Sequence, residues 1–235
     1  NGWSVKKLIR EIMMSRAYQM GSGYDSANYA VDPDNKWHWR MNQRRLEAEA
    51  IRDAMLAVSG SLNLYPVDGS PVARAGEGRQ GLFSIFRGEL SGKAYAYRSI
   101  YIPIIRDQIP EMLSVFDYPD ASLVNGDRDT TNVPSQSLYL MNNPQAQSAA
   151  DAFAVRIAKH PGNSAERLSY AYELAFGREP TAQEKAAIGN FWMRFPQQIA
   201  KDKGTSKEAK AQAEFAALSA FCQSLIASAE FRYLN

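Results

Sequence analysis

Residues 143–159 have the sequence NPQAQSAADAFAVRIAK, which predicts an α-helix. Asn143 is a favourable N-cap residue, and Pro144 is tolerated at the first helical position because an N–H group there has no partner within the helix. The apolar side of this helix is carried by residues at helical spacing: Ala146, Ala149, Ala150, Phe153 and Ile157. A capped helix with one apolar side predicts a helical core around it.

Three further helices are predicted downstream of this segment. Ser164 is expected to cap a helix that ends at Gly177. Thr181 and Glu184 have the spacing of a capping box, which begins the next helix. The last helix is expected over about 206–229, and its many small residues favour close packing between helices.

The chain upstream of this region predicts shorter helices joined by loops. A first helix follows Ser4 and carries apolar residues at helical spacing: Val5, Leu8, Ile9, Ile12 and Met13. Residues 22–36 are expected to be loop, and 41–58 a second helix. Pro110 and Pro134 each stand at a position that suits the first turn of a helix.

Charged residues of the helix predicted over 41–58 lie largely off its apolar stripe: Arg44, Arg45, Glu47, Glu49, Arg52 and Asp53. Glu49 is three residues from Arg52, and such spacing suits an ion pair on a helix surface. The pattern therefore predicts that these side chains are solvated.

Residues 64–95 are rich in glycine and proline, which break helices, and predict an irregular excursion. The apolar run Leu82–Phe86 allows one short β-hairpin there. Residues 97–105 favour extended structure, although Pro103 argues against a central strand. The chain is thus predicted to be a single all-α domain over 1–235, irregular and multi-helical, with long loops and room for one short hairpin.

Composition excludes several classes of protein. Of 235 residues, 45% are hydrophobic and 22% charged, which is typical of globular domains. The net charge of +2 argues against nucleic-acid binding, and no apolar run reaches the length of about 20 residues that spans a membrane. The chain has one cysteine, Cys222, and two histidines, His38 and His160. These are too few for a multi-histidine or cysteine metal centre or for a haem attachment motif, so no cofactor is expected in this chain. Cys222 lies on the apolar stripe of the last helix and is expected to be buried and reduced.

Two tryptophans flank a histidine at Trp37-His38-Trp39. If both rings are exposed, their flat faces can stack on sugar rings. The alternative is that one or both of Trp37 and Trp39 close the core beside the neighbouring helix, and this second interpretation is favoured.

Four aspartates surround Arg128: Asp117, Asp120, Asp127 and Asp129. Their spacing is not that of an EF-hand calcium loop. Aspartates in turns commonly accept hydrogen bonds from backbone N–H groups, so turn and cap roles come first, a polar binding site second and catalysis third. The guanidinium of Arg128 is expected to be held by carboxylates or backbone carbonyls, with Asp117 or Asp120 as the favoured side-chain partners, which would fix the loop.

Polar side chains also bracket the helix that begins at Pro134. They are candidate ligand-binding residues: Arg128, Thr131, Asn132, Gln136 and Asn142. A phosphate, carboxylate or sugar hydroxyl could lie among them. A buried polar network that anchors the loop is the favoured alternative, because helix starts need such partners.

Several stretches together resemble a known family, in order and over nearly the whole chain. They are 44–53 with Ser59-Gly60, Arg98–Tyr101 with 116–120, 128–138 with 140–144, and 177–181 with Glu184 and 228–235. They are similar to the C-terminal domain of unknown function in large planctomycete-type exported surface proteins, which also carry a cytochrome-c domain. Arg98, from the second stretch, joins the candidate ligand-binding residues.

The resemblance implies a periplasmic or cell-surface protein with a redox or polysaccharide-related role, in which the haem belongs to another domain. No catalytic residues are established for the family, so none is carried over. The leading hypothesis is an accessory or binding domain of a longer protein, with polysaccharide or other domains of the same polypeptide as partners. The alternative is a carbohydrate-active enzyme that uses the acidic cluster near 117–129.

Overall fold

The computed structural model describes residues 2–74, 95–104, 109–203 and 206–234. Within them lie ten α-helices: α1 (Val5–Met13), α2 (Ser26–Val31), α3 (Ala48–Val58), α4 (Glu111–Val115), α5 (Pro134–Asn142), α6 (Pro144–Lys159), α7 (Ser164–Phe176), α8 (Ala182–Lys203), α9 (Lys207–Ala227) and α10 (Ala229–Arg232). Two short 3₁₀ turns cover Pro71–Arg74 and Ser99–Tyr101, and β1 (Arg44–Arg45) pairs antiparallel with β2 (Tyr233–Leu234). The predicted all-α class is confirmed.

The excursion predicted over 64–95 is described only at its ends. Residues 64–74 contain turns and the short 3₁₀ segment, and Tyr95 is buried. The hairpin predicted at 82–86 lies outside the described residues. In the described residues no helix is long and apolar enough to cross a membrane.

The chain divides into two compact units. The first comprises Asn1–Leu46 with Arg232–Asn235, and the second comprises Glu47–Phe231. The single domain over 1–235 stays a prediction.

The core of the second unit is built around α6 and α9, as the sequence of α6 predicts. Phe153 of α6 and Ile226 of α9 are fully buried, and α9 also packs against α5, α7 and α8. Ala209, Ala213 and Ala217 are buried along α9, and their small side chains allow the neighbouring helices to approach closely. Helices α7, α8 and α9 thus pack together with α6 in one helical core.

Capping residues explain where most helices begin. Asn143 accepts a hydrogen bond from Gln145 N, as predicted. Helix α7 starts one residue differently from the prediction, because Asn163, not Ser164, is its N-cap and forms a capping box with Glu166. The helix ends at Gly177, which adopts the left-handed conformation (φ 68°) that favours glycine.

The N-terminal third departs from the sequence prediction in two places. A short helix, α2, forms within 22–36, where Asp25 caps it through Asn28 N. The helix predicted from 41 begins at Ala48, because Arg44 and Arg45 pair instead with the chain's last residues. Periodicity within one segment cannot reveal a strand partner so far along the sequence.

Helix α1 forms as predicted, with Ser4 as its N-cap, yet it buries none of its residues. Its apolar side chains are each 48–68% exposed: Val5, Leu8, Ile9, Ile12 and Met13. The amphipathic pattern therefore predicted the helix correctly, and within the part of the chain that the structure describes its apolar side has no cover.

Cys222 is fully buried in α9, and burial raises the pKa of its thiol. Because thiol reagents attack the thiolate, we expect negligible labelling of the native chain over minutes and complete labelling after unfolding in urea. An Ala187→Cys variant, at an exposed position of α8, serves as the positive control. Rapid native labelling of Cys222 would contradict this prediction.

Candidate functional site

Arg128 lies on the loop that leads into α5, and its guanidinium binds the N-terminal end of α3. Its two terminal nitrogens donate to Glu49 at 2.7 and 3.0 Å, and Glu47 lies 3.2 Å away. The hydrogen bond to Glu49 raises the pKa of Arg128. The prediction that Asp117 or Asp120 is the partner is wrong, because the carboxylates that pair with Arg128 come from a helix about eighty residues earlier. Glu49 is likewise committed to Arg128, not to a pair within its own helix.

Asp117 anchors the same loop from its other end. Its carboxylate accepts hydrogen bonds from Thr131 N at 2.9 Å and Thr131 Oγ1 at 2.8 Å. Gln136 is fully buried and donates to Val115 O and Thr131 Oγ1, both at 3.2 Å. These contacts form a polar network that ties the loop to the start of α5.

The remaining candidates near this loop have local contacts. Asp120 accepts from Ser122 N at 2.8 Å and Ser122 Oγ at 2.7 Å, as in a capped turn. Asn142 is exposed and donates to Leu138 O within its own helix, and Asn132 is exposed. The structure therefore joins Asp117, Thr131 and Gln136 in one hydrogen-bond network.

A second polar network, which the sequence analysis missed, joins α3 to residues 95–101. Arg52 is buried and donates to the carbonyls of Tyr95 and Tyr97 and to Ser99 Oγ. Burial lowers the pKa of Arg52, and Asp53 opposes that shift. The expectation that Arg52 is a solvated surface residue is wrong, because its head group satisfies carbonyls contributed from more than forty residues away.

Asp53 completes this network and links it to Arg98, one of the candidate residues. The Asp53 carboxylate accepts from Ser99 N and Ser99 Oγ, each at 2.7 Å. The exposed Arg98 side chain lies 3.8 Å from Asp53 Oδ2. Arg98 is thus placed at the edge of a structural cluster.

Trp37 and Trp39 differ in their environments, although both lie in the first unit. Trp37 is 81% exposed, whereas Trp39 is half-buried and donates from its indole nitrogen to Asp32 O at 2.9 Å. The Arg40 guanidinium covers the Trp39 ring at 4.7 Å. The Asp32 carboxylate accepts from the backbone N–H groups of Lys36 and Trp37, which shapes this loop.

Arg178 forms the densest ion-pair cluster of the described residues. It makes two hydrogen bonds to Glu184 (2.8 and 3.0 Å) and two to Glu230 (2.6 and 2.7 Å). The Arg178 guanidinium, with help from Thr181 N–H, lowers the pKa of Glu184 to about 2. This clamp connects the end of α7, the start of α8 and α10, and the predicted capping box of Thr181 and Glu184 is confirmed inside it.

No group of three or more His, Cys, Asp or Glu side chains could hold a metal ion in the ranges that the structure describes. Asp117, Asp120 and Asp127 accept hydrogen bonds from backbone N–H groups of nearby residues. The Arg128 guanidinium pairs instead with Glu47 and Glu49, at the start of α3. The geometry at the candidate residues is that of a loop scaffold.

We expect Arg128→Ala to lower the free energy of unfolding by about 1 kcal/mol, since the pair is partly exposed and partly screened. For a chain of this size that corresponds to a melting temperature lower by about 2–4 °C. Arg128→Lys, which cannot form the bidentate pair, should recover only part of the loss. An unchanged melt for Arg128→Ala, relative to the exposed control Arg194→Ala, would contradict a scaffold role.

The fold and these clusters define a class: an all-α domain whose polar clusters hold its loops to its helices. A family model described as a protein of unknown function (DUF1553), PSD1, matches residues 1–192, and the chain belongs to that family. Comparison with curated proteins and with solved structures gives no match.

Proposed function

We propose that this chain is a non-catalytic accessory domain of a larger exported, haem-containing protein of the planctomycete type, and that α1 docks it on another domain of the same polypeptide. The haem would belong to that other part of the protein, and the location would be the periplasm or the cell surface. The observation that carries the proposal is the uncovered apolar side of α1.

Helix α1 needs a partner surface on physical grounds. It has nine residues, and isolated helices shorter than about 12–15 residues are marginal in water. Burying a large aliphatic side chain contributes about 1.5–3 kcal/mol. Burial of the five half-exposed apolar side chains of α1 against a partner would therefore contribute strongly to the free energy of binding. Its other side carries Lys6, Lys7 and Arg10, which favours an acidic rim on the partner.

The alternative, a carbohydrate-active enzyme acting through 117–129, comes second. Glycosidases use two carboxyl groups that face each other across the substrate. Asp117 and Asp120 instead accept hydrogen bonds from Thr131 and Ser122 of their own loop. A polar binding role for Arg98, Asn132 and Asn142 stays a prediction.

Hydrogen–deuterium exchange tests the docking proposal. In the full-length protein, amides of residues 8–13 should exchange at least tenfold more slowly than in this chain alone. Leu8→Asp combined with Ile12→Asp should abolish that protection, whereas Lys7→Ala, on the polar side, should retain most of it.

Two outcomes would overturn the proposal. One is equal exchange at 8–13 in the full-length protein and in the chain alone. The other is protection of the isolated chain by vesicles containing anionic lipid and none in the full-length protein without them, which would make α1 a membrane-surface helix.

A further inference from the structure

A cavity of about 600 Å³ lies between α7 and α8, within the second unit. Aromatic rings form part of its wall: His160 and Tyr170 stack in parallel with ring centroids 3.9 Å apart. Trp192 of α8 also lines it, and the edge-on contact with Phe221 at 5.6 Å fixes the indole. His160 covers one face of the Tyr170 ring and the Arg156 guanidinium lies over that ring at 5.8 Å, so the flat surface that the cavity offers comes from Trp192 and the outer face of His160. Ligand sites commonly use such rigid aromatic surfaces.

Polar side chains of both signs line the same cavity. Ser169 donates to Glu179 at 2.6 Å, which orients that carboxylate. Among the described residues, neither Glu173 nor Lys185 forms a hydrogen bond or ion pair through its side chain with another part of the chain. Acceptors and donors are thus available to a ligand without first breaking a contact inside the protein.

Gly189 of α8 also lines the cavity, and packing does not explain why a glycine is there. A Cβ added to it would meet no atom within 4 Å. Glycine inside a helix costs about 0.5–1 kcal/mol relative to alanine. Gly189 stands four residues after Lys185 and three before Trp192, so it leaves space on the side of α8 that faces the cavity.

The chemistry of the lining selects the class of ligand. Three carboxylates, those of Glu166, Glu173 and Glu179, outnumber the single ammonium of Lys185, which disfavours anions. Flat aromatic faces suit the C–H face of a pyranose, and mixed donors and acceptors suit its hydroxyl groups. We propose that this cavity binds an oligosaccharide whose sugars carry free amino groups.

This site is independent of the proposed docking through α1, because all its lining residues lie in the second unit. It is also separate from Trp37 and Trp39, where the sequence first suggested sugar stacking. A failure of either proposal therefore leaves the other standing.

Isothermal titration calorimetry with three tetrasaccharides tests the inference: β-1,4-linked glucosamine, cellotetraose and tetragalacturonate. We expect the glucosamine tetramer to bind at least tenfold more tightly than cellotetraose, and tetragalacturonate not to bind. Glu173→Gln should reduce the preference for the amine, and added salt should reduce it as well.

Gly189→Leu provides the decisive variant, because it fills the cavity while removing a glycine from a helix. We expect at least a tenfold loss of affinity with an equal or higher melting temperature, so that unfolding cannot account for the loss. Ala187→Leu, on the opposite side of α8, is the matched control and should bind as the parent does.

Three results would overturn the inference. They are no heat with any tetrasaccharide, unchanged binding by Gly189→Leu, and binding of trilysine as tight as that of the glucosamine tetramer, which would indicate a site for amines and not for sugars.

Discussion

Arg52→Ala is expected to lower the free energy of unfolding by about 3–5 kcal/mol, the cost typical of breaking a buried, charge-assisted cluster. The Arg52 side chain is buried and holds the carbonyls of Tyr95 and Tyr97 together with Ser99 Oγ. Alanine leaves those acceptors in a site from which water is largely excluded, and it removes the aliphatic stem as well. The variant should therefore detach residues 95–101 from α3.

Urea unfolding followed by circular dichroism measures this loss. Arg52→Lys keeps the charge but cannot reach all three acceptors, so its stability should lie between those of the parent and Arg52→Ala. Arg194→Ala, an exposed arginine of α8, should stay within about 0.5 kcal/mol of the parent. A loss below 1 kcal/mol for Arg52→Ala would show that the network contributes little.

Arg178→Ala is the second change with a large expected effect. It removes four hydrogen bonds to Glu184 and Glu230 and the contacts of the guanidinium with the rings of Tyr172 and Phe176. Because the arginine side chain is 35% exposed, solvent screening reduces the effect to about 1–2 kcal/mol. Differential scanning calorimetry should record a melting temperature lower by about 2–8 °C.

Glu184 makes this clamp dependent on pH. Its pKa falls from an ordinary 4.5 to about 2 in the folded chain, so its stabilising contribution is complete above about pH 4.5 and is lost as the pH falls towards 2. The difference in melting temperature between the parent and Glu184→Gln should therefore be large at pH 6 and shrink towards pH 2. Glu208→Gln, at an exposed position of α9, should show no such trend, and a constant difference for Glu184→Gln would contradict the assignment.

Helix positions were predictable wherever the signal is local. A proline after Asn143, a capping box at Thr181 and Glu184, and a glycine at 177 each act within one turn of helix, so the sequence alone reveals them. The short α2 escaped prediction because six residues with one capping aspartate carry almost no periodic pattern.

The pairing of charged residues was not predictable to the same degree. Arg128 lies closer along the sequence to Asp117 and Asp120 than to Glu49, and sequence distance says nothing about which carboxylate the fold brings nearer. Arg52 was assigned to a solvated face because charged residues are rarely buried without partners, and its partners are backbone carbonyls that no side-chain pattern reveals. The cavity between α7 and α8 was missed for the same reason, since His160, Tyr170 and Trp192 meet only after the two helices pack.

The two compact units are nested along the chain, because residues 47–231 form an insertion between the parts that supply β1 and β2. A ribosome releases the chain from its N-terminus, so the inserted unit can fold while β1 still lacks its partner strand. Loop closure across the insertion then costs less entropy than it would across an unfolded chain of the same length, because the folded insertion holds its own two ends in place. Assembly of the smaller unit therefore waits until residues 233 and 234, which form β2, have been synthesised.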